Sequence, residues 1–184
     1  MSAAALISFI LTDPDAVRAL EAVRDHGPAH AYIAAGFIRN RVWDSLYDPQ
    51  PVAAESDVDV VYFDAGAADP IADEQAYEAA LANILLAPWQ VRNQARMHDR
   101  AGDPPYSGLS DALSRWPETA TAVAVRLNGQ GGLDVVAPFG LDDLMEHVLR
   151  PSQAILACDP GVFESRFVDK GWRDRWPRLR VIRP

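Results

Sequence analysis

Two aspartates at alternate positions, Asp57 and Asp59, open the run SDVDVVYFD. The branched and aromatic residues from Val58 to Phe63 predict a buried central strand. In a strand, residues i and i+2 share a face, roughly 6–7 Å apart at the backbone. Carboxylates at the mouth of such a strand are costly to bury unless they are paired or hold a cation. Two flexible carboxylates at this spacing can share one divalent metal ion, or straddle a pair of ions about 3.5–4 Å apart. Asp57 and Asp59 are therefore the first candidate metal ligands.

Gly36 lies 21 residues before Asp57 and precedes a segment, Phe37 to Leu46, whose apolar residues Phe37, Ile38, Val42, Trp43 and Leu46 give a helical face. Glycine without a Cβ lets a phosphate approach the backbone, and a helix N-terminus offers unpaired N–H groups. Arg39, in the first turn beside Asn40, adds a charge-assisted donor. A tight turn followed by a surface arginine fits the same residues. Further along, Asn93, Gln94 and Arg96 end a predicted strand from Trp89 to Arg96. They suit recognition of a nucleotide sugar, a base or an acceptor, or else a polar strand end capped by loops. Asp134 is an acid inside the apolar run from Leu133 to Ala137, as Asp59 is in its own. It completes a three-carboxylate cluster if its strand lies beside that of Asp57, and is an exposed residue on an edge strand otherwise.

Around these residues the pattern alternates helices and strands. Asp13 to Asp25 is an amphipathic helix with Pro14 in its first turn and Gly27-Pro28 as its stop. His30 to Ala35 is a short strand or a helix end, and Tyr47 to Ser56 is a loop. Asp73 to Leu86 predicts a helix, Asp99 to Tyr106 a loop, and Leu109 to Trp116 a short helix. The segments Ala122 to Leu127 and Leu133 to Ala137 read as a hairpin around Asn128-Gly129-Gln130-Gly131-Gly132. Leu141 to Leu149 and Asp159 to Lys170 read as helices. His26 and His30 have no metal-ligand spacing and are taken as structural.

The length of 184 residues allows one domain with a sizeable core, and 49% hydrophobic with 23% charged residues is a folded composition. No apolar run is long enough to cross a bilayer, and the N-terminus lacks the basic start of an export signal, so the expected location is cytoplasmic. The one cysteine, Cys158, excludes an internal disulfide and any Cys-based zinc site, and reads as an inert small hydrophobe. The net charge of −9 is uneven: residues 166–184 carry seven basic residues and two acids, a net of +5, leaving −14 on residues 1–165. An acidic body disfavours a long nucleic-acid partner. The basic, aromatic C-terminal tail is expected to lie back on that body, where it can lend an arginine to a phosphate.

Taken together, Gly36-Phe37-Ile38-Arg39-Asn40, a helix, and Asp57-Val58-Asp59-Val60-Val61 resemble the head of the DNA polymerase beta-type nucleotidyltransferase superfamily, and within it the heads of CCA-adding enzymes and poly(A) polymerases. The fuller set AGFIRNRVWD, SDVDVVYFD, WQVRNQARMH, WPETATAVAVR and APFGLDDL is similar to a family of small bacterial nucleotidyltransferase-like proteins, from about Ala31 onward. The resemblance implies an α/β (α+β) fold, a mixed β-sheet with flanking helices. It also implies a site where carboxylates hold Mg²⁺ (or Mn²⁺) against a nucleoside triphosphate. Asp57 and Asp59 match the paired metal ligands, and Asp134 is the candidate third carboxylate, activating an acceptor hydroxyl. Gly36 matches the glycine turn, Arg39 a triphosphate contact, and Phe37, Asn40, Asn93 and Arg96 complete the expected nucleotide contacts. Ala35 stands where many members have a second glycine, and Phe37 where others carry Ser or Gly. The implied reaction moves a nucleoside monophosphate to a small-molecule or protein hydroxyl and releases pyrophosphate. The helical body that tRNA-directed relatives use to hold RNA does not fit in this length. A non-enzymatic reading, a nucleotide sensor or a toxin–antitoxin-like component, keeps the fold without the transfer. A plain nucleic-acid-binding module rests on the tail alone.

Overall fold

In the computed structural model, which describes residues 3–52 and 56–183, the run behind Asp57 is a strand at the second place of a mixed sheet. The chain begins with α1 (Ala3–Leu11) and α2 (Pro14–His26), then β1 (Tyr32–Ala34), α3 (Gly36–Asp44), β2 (Val58–Tyr62) and α4 (Pro70–Ile84). After these come β3 (Trp89–Asn93), a 3₁₀ turn (Gln94–Arg96), α5 (Met97–Ala101), α6 (Leu109–Leu113), β4 (Ala124–Leu127) and β5 (Leu133–Val136). The C-terminal part is α7 (Asp142–Met145), β6 (Val148–Leu149), α8 (Gln153–Cys158), α9 (Pro160–Asp169), α10 (Trp172–Arg175) and β7 (Arg180–Val181). The main sheet has the order β3-β2-β1-β4-β5; β2 and β3 are parallel and the other neighbours antiparallel.

The alternation of β2 decides which face holds the core. Val58, Val60 and Tyr62 join Ile33, Val91 and Val125 in a cluster that α1, α2 and α4 cover. On the opposite face Val61 packs with Ala34, Ala35, Ala124 and Leu113. Asp59 shares that second face, in register with Ala34 of β1, which is itself in register with Ala124 of β4. Alanines at the next two strands on the β1 side leave the sheet surface low beside the carboxylate, while Gln90 of β3 is its register partner on the other side.

Local signals set the starts of the two longest helices. Asp13 accepts from the N–H groups of Asp15 and Ala16 and sets the start of α2, while Asp69 does the same for α4 through Ala72, with a proline next in each case. That cap starts α4 three residues before the expected Asp73. α4 also closes the open edge of β3, because Glu78 accepts from the Val91 N–H and Glu74 from the Asn93 N–H.

Several elements differ from the sequence expectation, among them α8, α10 and β7, to which the sequence reading gave no element. α1 was not anticipated; its Leu6 and Ile10 are fully buried, so the apolar start is a packed helix. The segment read as a helix from Leu141 to Leu149 breaks after α7, where His147 takes a left-handed backbone (φ 60°) and the chain re-enters as β6 beside β7. Residues 97–101, at the junction of the expected strand end and loop, form α5. Cys158, expected as a small core hydrophobe, is exposed at the end of α8. Among the described residues no helix is long and apolar enough to cross a membrane.

His147 gives the fold a pH dependence. The ring is buried between Trp43 and Tyr47, at centroid distances of 5.2 and 5.5 Å, and its Nε2 has no hydrogen-bond partner among the described residues. Burial, helped by Arg178, holds its pKa below the ordinary value. The unfolded chain therefore takes up the proton first, and stability should fall as pH drops below about 6.5. Urea unfolding at pH 7.5 and pH 5.5 should show this loss in the wild type. His147→Asn, which tolerates the left-handed backbone, should lose less across the same interval.

Candidate functional site

The chain leaves β1 through Ala35, whose φ of 56° and ψ of −129° lie in a region that glycine favours, and Gly36 then opens α3. Position 35, where relatives often carry a second glycine, is thus a strained turn that alanine occupies. At Gly36 an added Cβ would lie 3.1 Å from Ser56 Oγ, 3.6 Å from Asn40 Nδ2 and 3.7 Å from Arg39 Nη2. The missing side chain leaves a hollow ringed by polar groups. Gly36→Val should fill it, lowering nucleoside triphosphate affinity by at least about tenfold in a binding titration with little change in folding, since no positive φ demands glycine there.

Arg39 stands at the floor of this hollow. It is 6% exposed, donates from Nη1 to Thr121 Oγ1 at 2.8 Å and from Nη2 to Asn40 Oδ1 at 2.9 Å, and leaves its Nε without a partner among the described residues. Its guanidinium lies 4.6 Å from the ring centre of Trp172. Burial lowers its pKa to about 10, opposed by Glu118, so it stays charged at neutral pH. A buried cation with an orphaned donor is a ready anion contact.

Across the cleft mouth, Asp57 is exposed just ahead of β2 and Asp59 is half-buried within it. Burial raises Asp59 to about 6, and the neighbouring negative charge of Asp57 adds to the rise, while Arg39, Lys170 and Arg92 oppose it. The ionised form of Asp59 is thus disfavoured where it stands and gains from a cation. Both carboxylates line one cleft of about 1070 Å³ with Gly36, Arg39 and Asn40.

The far wall is C-terminal. Trp176, 1% exposed, packs edge-on against Trp43 at 4.9 Å and donates from Nε1 to Asp44 at 2.9 Å. Arg175 makes two hydrogen bonds to the same carboxylate, at 2.6 and 3.1 Å. Arg166 is held by Glu118, which is fully buried, at 2.6 Å. These contacts lay α9 and α10 over the body and bring Arg166, Lys170, Trp172 and Arg175 into the cleft lining. Sequence reasoning brought the tail onto the body but gave no role to Glu118 or Thr121. An acid at the start of a buried run, the signal used for Asp57, was also present in WPETATAVAV.

The other expected residues fall elsewhere. Asp134 does not join the pair: β5 lies three strand spacings from β2, ~14 Å, and its carboxylate is taken by Arg126 at 2.8–2.9 Å and by Asn128 at 3.2 Å. Those partners hold its pKa below the usual carboxylate range. Asn93 pairs with Tyr62, at the end of β2 remote from Asp57, and its side chain bonds both the N–H and the C=O of Asp64. Arg96 is engaged by both oxygens of the buried Glu74, at 2.8 and 2.5 Å. Both residues are tied into the β3 end of the fold, away from the carboxylates. Phe37 points into the core, with Arg41 stacked on its ring.

Among the described residues no group of three or more His, Cys, Asp or Glu is placed to hold a metal ion. Two hard oxygen donors facing an anion cradle still fit Mg²⁺, which commonly takes one or two protein carboxylates and completes its shell with phosphate oxygens and water. Asp57 and Asp59 are the residues that would hold it.

The five-stranded mixed sheet carries a glycine turn facing one carboxylate on β2 and one just ahead of it, and sequence comparison gives the class. The profile of a nucleotidyltransferase family matches residues 21–181, and the chain belongs to that family. An NMR structure described as revealing a CCA-adding enzyme head domain superposes with a TM-score of 0.83 at 28% identity, covering 100% of this chain and 97% of that one. A CCA-adding enzyme in complex with CTP gives a TM-score of 0.55 at 17% identity, over 92% of this chain and 47% of that enzyme. The Thermotoga maritima CCA-adding enzyme complexed with tRNA gives 0.55 at 16% identity, over 99% and 42%. The chain thus spans less than half of these longer enzymes, and the likeness to them is one of fold. No curated protein sequence matches the chain.

Proposed function

We propose that this protein is a divalent-metal-dependent nucleotidyltransferase that transfers a nucleoside monophosphate from a nucleoside triphosphate to a hydroxyl of a small molecule or protein. The observation that carries this reading is the single cleft in which Asp57 and Asp59 face Gly36, Arg39 and Asn40. Family membership supports nucleotidyl transfer as the reaction class, and structural neighbours that bind CTP and ATP support a nucleoside triphosphate as donor.

Each residue has a physical part. The open backbone at Gly36 lets the phosphates come close, and Arg39 supplies charge from below. Asp57 and Asp59 would hold Mg²⁺ or Mn²⁺, and such an ion would supply neutralisation of phosphate charge and polarisation of the reacting oxygens. The tail closes the far side and limits water. The acceptor oxygen forms a bond to the α-phosphorus, the bond from that phosphorus to the β-phosphate oxygen breaks, and its electron pair leaves with pyrophosphate while the acceptor proton passes to solvent.

The position of Asp134 favours a second reading. With no third carboxylate beside the pair among the described residues, the cleft can hold a nucleotide without activating an acceptor, as in a sensor or a partner-binding protein. Incubation with host extract and Mg²⁺ separates the two readings. Transfer predicts a product labelled from the α-phosphate and never from the γ-phosphate. Tight nucleotide binding with no labelled product would establish the second reading.

A further inference from the structure

We propose that Lys170 binds the β- and γ-phosphates of the nucleoside triphosphate, the portion that leaves as pyrophosphate. The assignment rests on reading the cleft as a nucleotide site. Lys170 is the only lysine in the chain, against sixteen arginines, and it lines the same cleft as Asp57, Asp59 and Gly36.

The other cations of the cleft already have side-chain partners, and of their buried donors only the Arg39 Nε is left over among the described residues. Arg166 is paired with Glu118, Arg175 with Asp44, and Arg39 is bonded to Thr121 and Asn40. Among the described residues the Lys170 ammonium has neither a hydrogen bond nor an ion pair. Its backbone is nevertheless fixed. The Lys170 N–H donates to the Arg166 carbonyl at the end of α9, Gly171 turns the chain at φ 60°, and the next residue, Trp172, is 3% exposed under the Arg39 guanidinium. The ammonium feels Asp59 across the cleft but is bonded to no carboxylate among the described residues, so it is free to take a ligand's phosphate.

Lysine also suits this position chemically. Its compact charge and three rotatable donors can follow a phosphate group that shifts as it departs, whereas the planar arginine fork is matched to one geometry. As the bond to the α-phosphorus breaks, negative charge grows on the leaving pyrophosphate, and a cation there favours the charge-separated arrangement.

The test is calorimetric titration of a nucleoside triphosphate, its monophosphate and pyrophosphate, each with Mg²⁺, into wild type, Lys170→Met and Lys170→Arg. Lys170→Met should weaken triphosphate and pyrophosphate binding by about 10- to 100-fold, with monophosphate within about twofold and the arginine variant between the two. The melting temperature of the ligand-free variants should change little, because the ammonium makes no hydrogen bond or ion pair among the described residues and only a through-space attraction to Asp59 is lost. An amine-selective acylating reagent should modify Lys170 in the free protein and spare it in the presence of pyrophosphate and Mg²⁺. Equal triphosphate affinity in wild type and Lys170→Met, or equal weakening of mono- and triphosphate, would overturn the role of Lys170 alone. Failure of wild type to bind any of the three would overturn the nucleotide reading and this assignment with it.

Discussion

Replacing Asp57 and Asp59 together by asparagine should abolish the rise in melting temperature that a nucleoside triphosphate with Mg²⁺ gives the wild-type protein. A ligand present at a hundredfold excess over its Kd stabilises the folded state by about 2.7 kcal/mol, a shift of roughly 5–11 °C for a chain of this size. The single change Asp59→Asn should have a second, opposite effect on the ligand-free protein. The folded-state pKa of Asp59 is raised to about 6 by burial and by Asp57, so the native protein holds its proton more tightly than the unfolded chain does. Wild-type stability therefore falls as pH rises from about 4 to about 6, and the ionised carboxylate destabilises the fold at neutral pH by roughly 2 kcal/mol. Asp59→Asn removes that repulsion and should melt about 4–8 °C higher at pH 7 without ligand. Higher stability with lost ligand response is the signature of a carboxylate kept for binding a cation. A double variant that still shows the full ligand-induced shift would sink the site assignment.

Trp176→Ala should cost about 3–5 kcal/mol of stability, the range for removing a buried aromatic side chain. The ring is almost wholly buried, meets Trp43 edge-on and carries one of the three hydrogen bonds to Asp44. Its loss loosens α10 and with it the wall that presents Arg175, Trp172 and Lys170, so triphosphate affinity should drop along with stability. Trp176→Phe separates the contributions: it keeps most of the packing, loses only the N–H bond, and should cost about 1 kcal/mol with affinity nearly retained. The pair of variants, followed by urea denaturation and by titration, distinguishes a structural tail that forms the site from one that merely decorates the surface.

The half of the site built on local pattern was legible in the sequence. Asp57 and Asp59 are two residues apart at the mouth of a strand whose β-branched run fixes its alternation, and Gly36, Arg39 and Asn40 belong to one helix start, so neither group needs tertiary information to be seen. Asp134 shows where that logic stops. An acid in an apolar strand looks the same whether the strand neighbours β2 or lies three places away, and only the order β3-β2-β1-β4-β5 decides. Asn93 and Arg96 show the same limit from the other side, since their polar groups are used by Asp64 and by the buried Glu74 on α4, which lies about twenty residues earlier in the chain. The cleft's far wall was hidden for a related reason. Arg166, Arg175 and Trp176 act through Glu118 and Asp44, at separations of 48, 131 and 132 residues, where no periodicity can signal a pair.

The most direct measurement of the central claim is calorimetric titration of the wild-type protein with a nucleoside triphosphate, once in Mg²⁺ and once in EDTA. If the carboxylate pair and the glycine turn form one metal-and-triphosphate site, binding should be saturable at one site per chain in Mg²⁺ and weaker by at least about a hundredfold in EDTA, because the two carboxylates then repel the phosphates they would otherwise help to hold. Equal affinity with and without the metal ion, or no binding in either condition, would contradict the account.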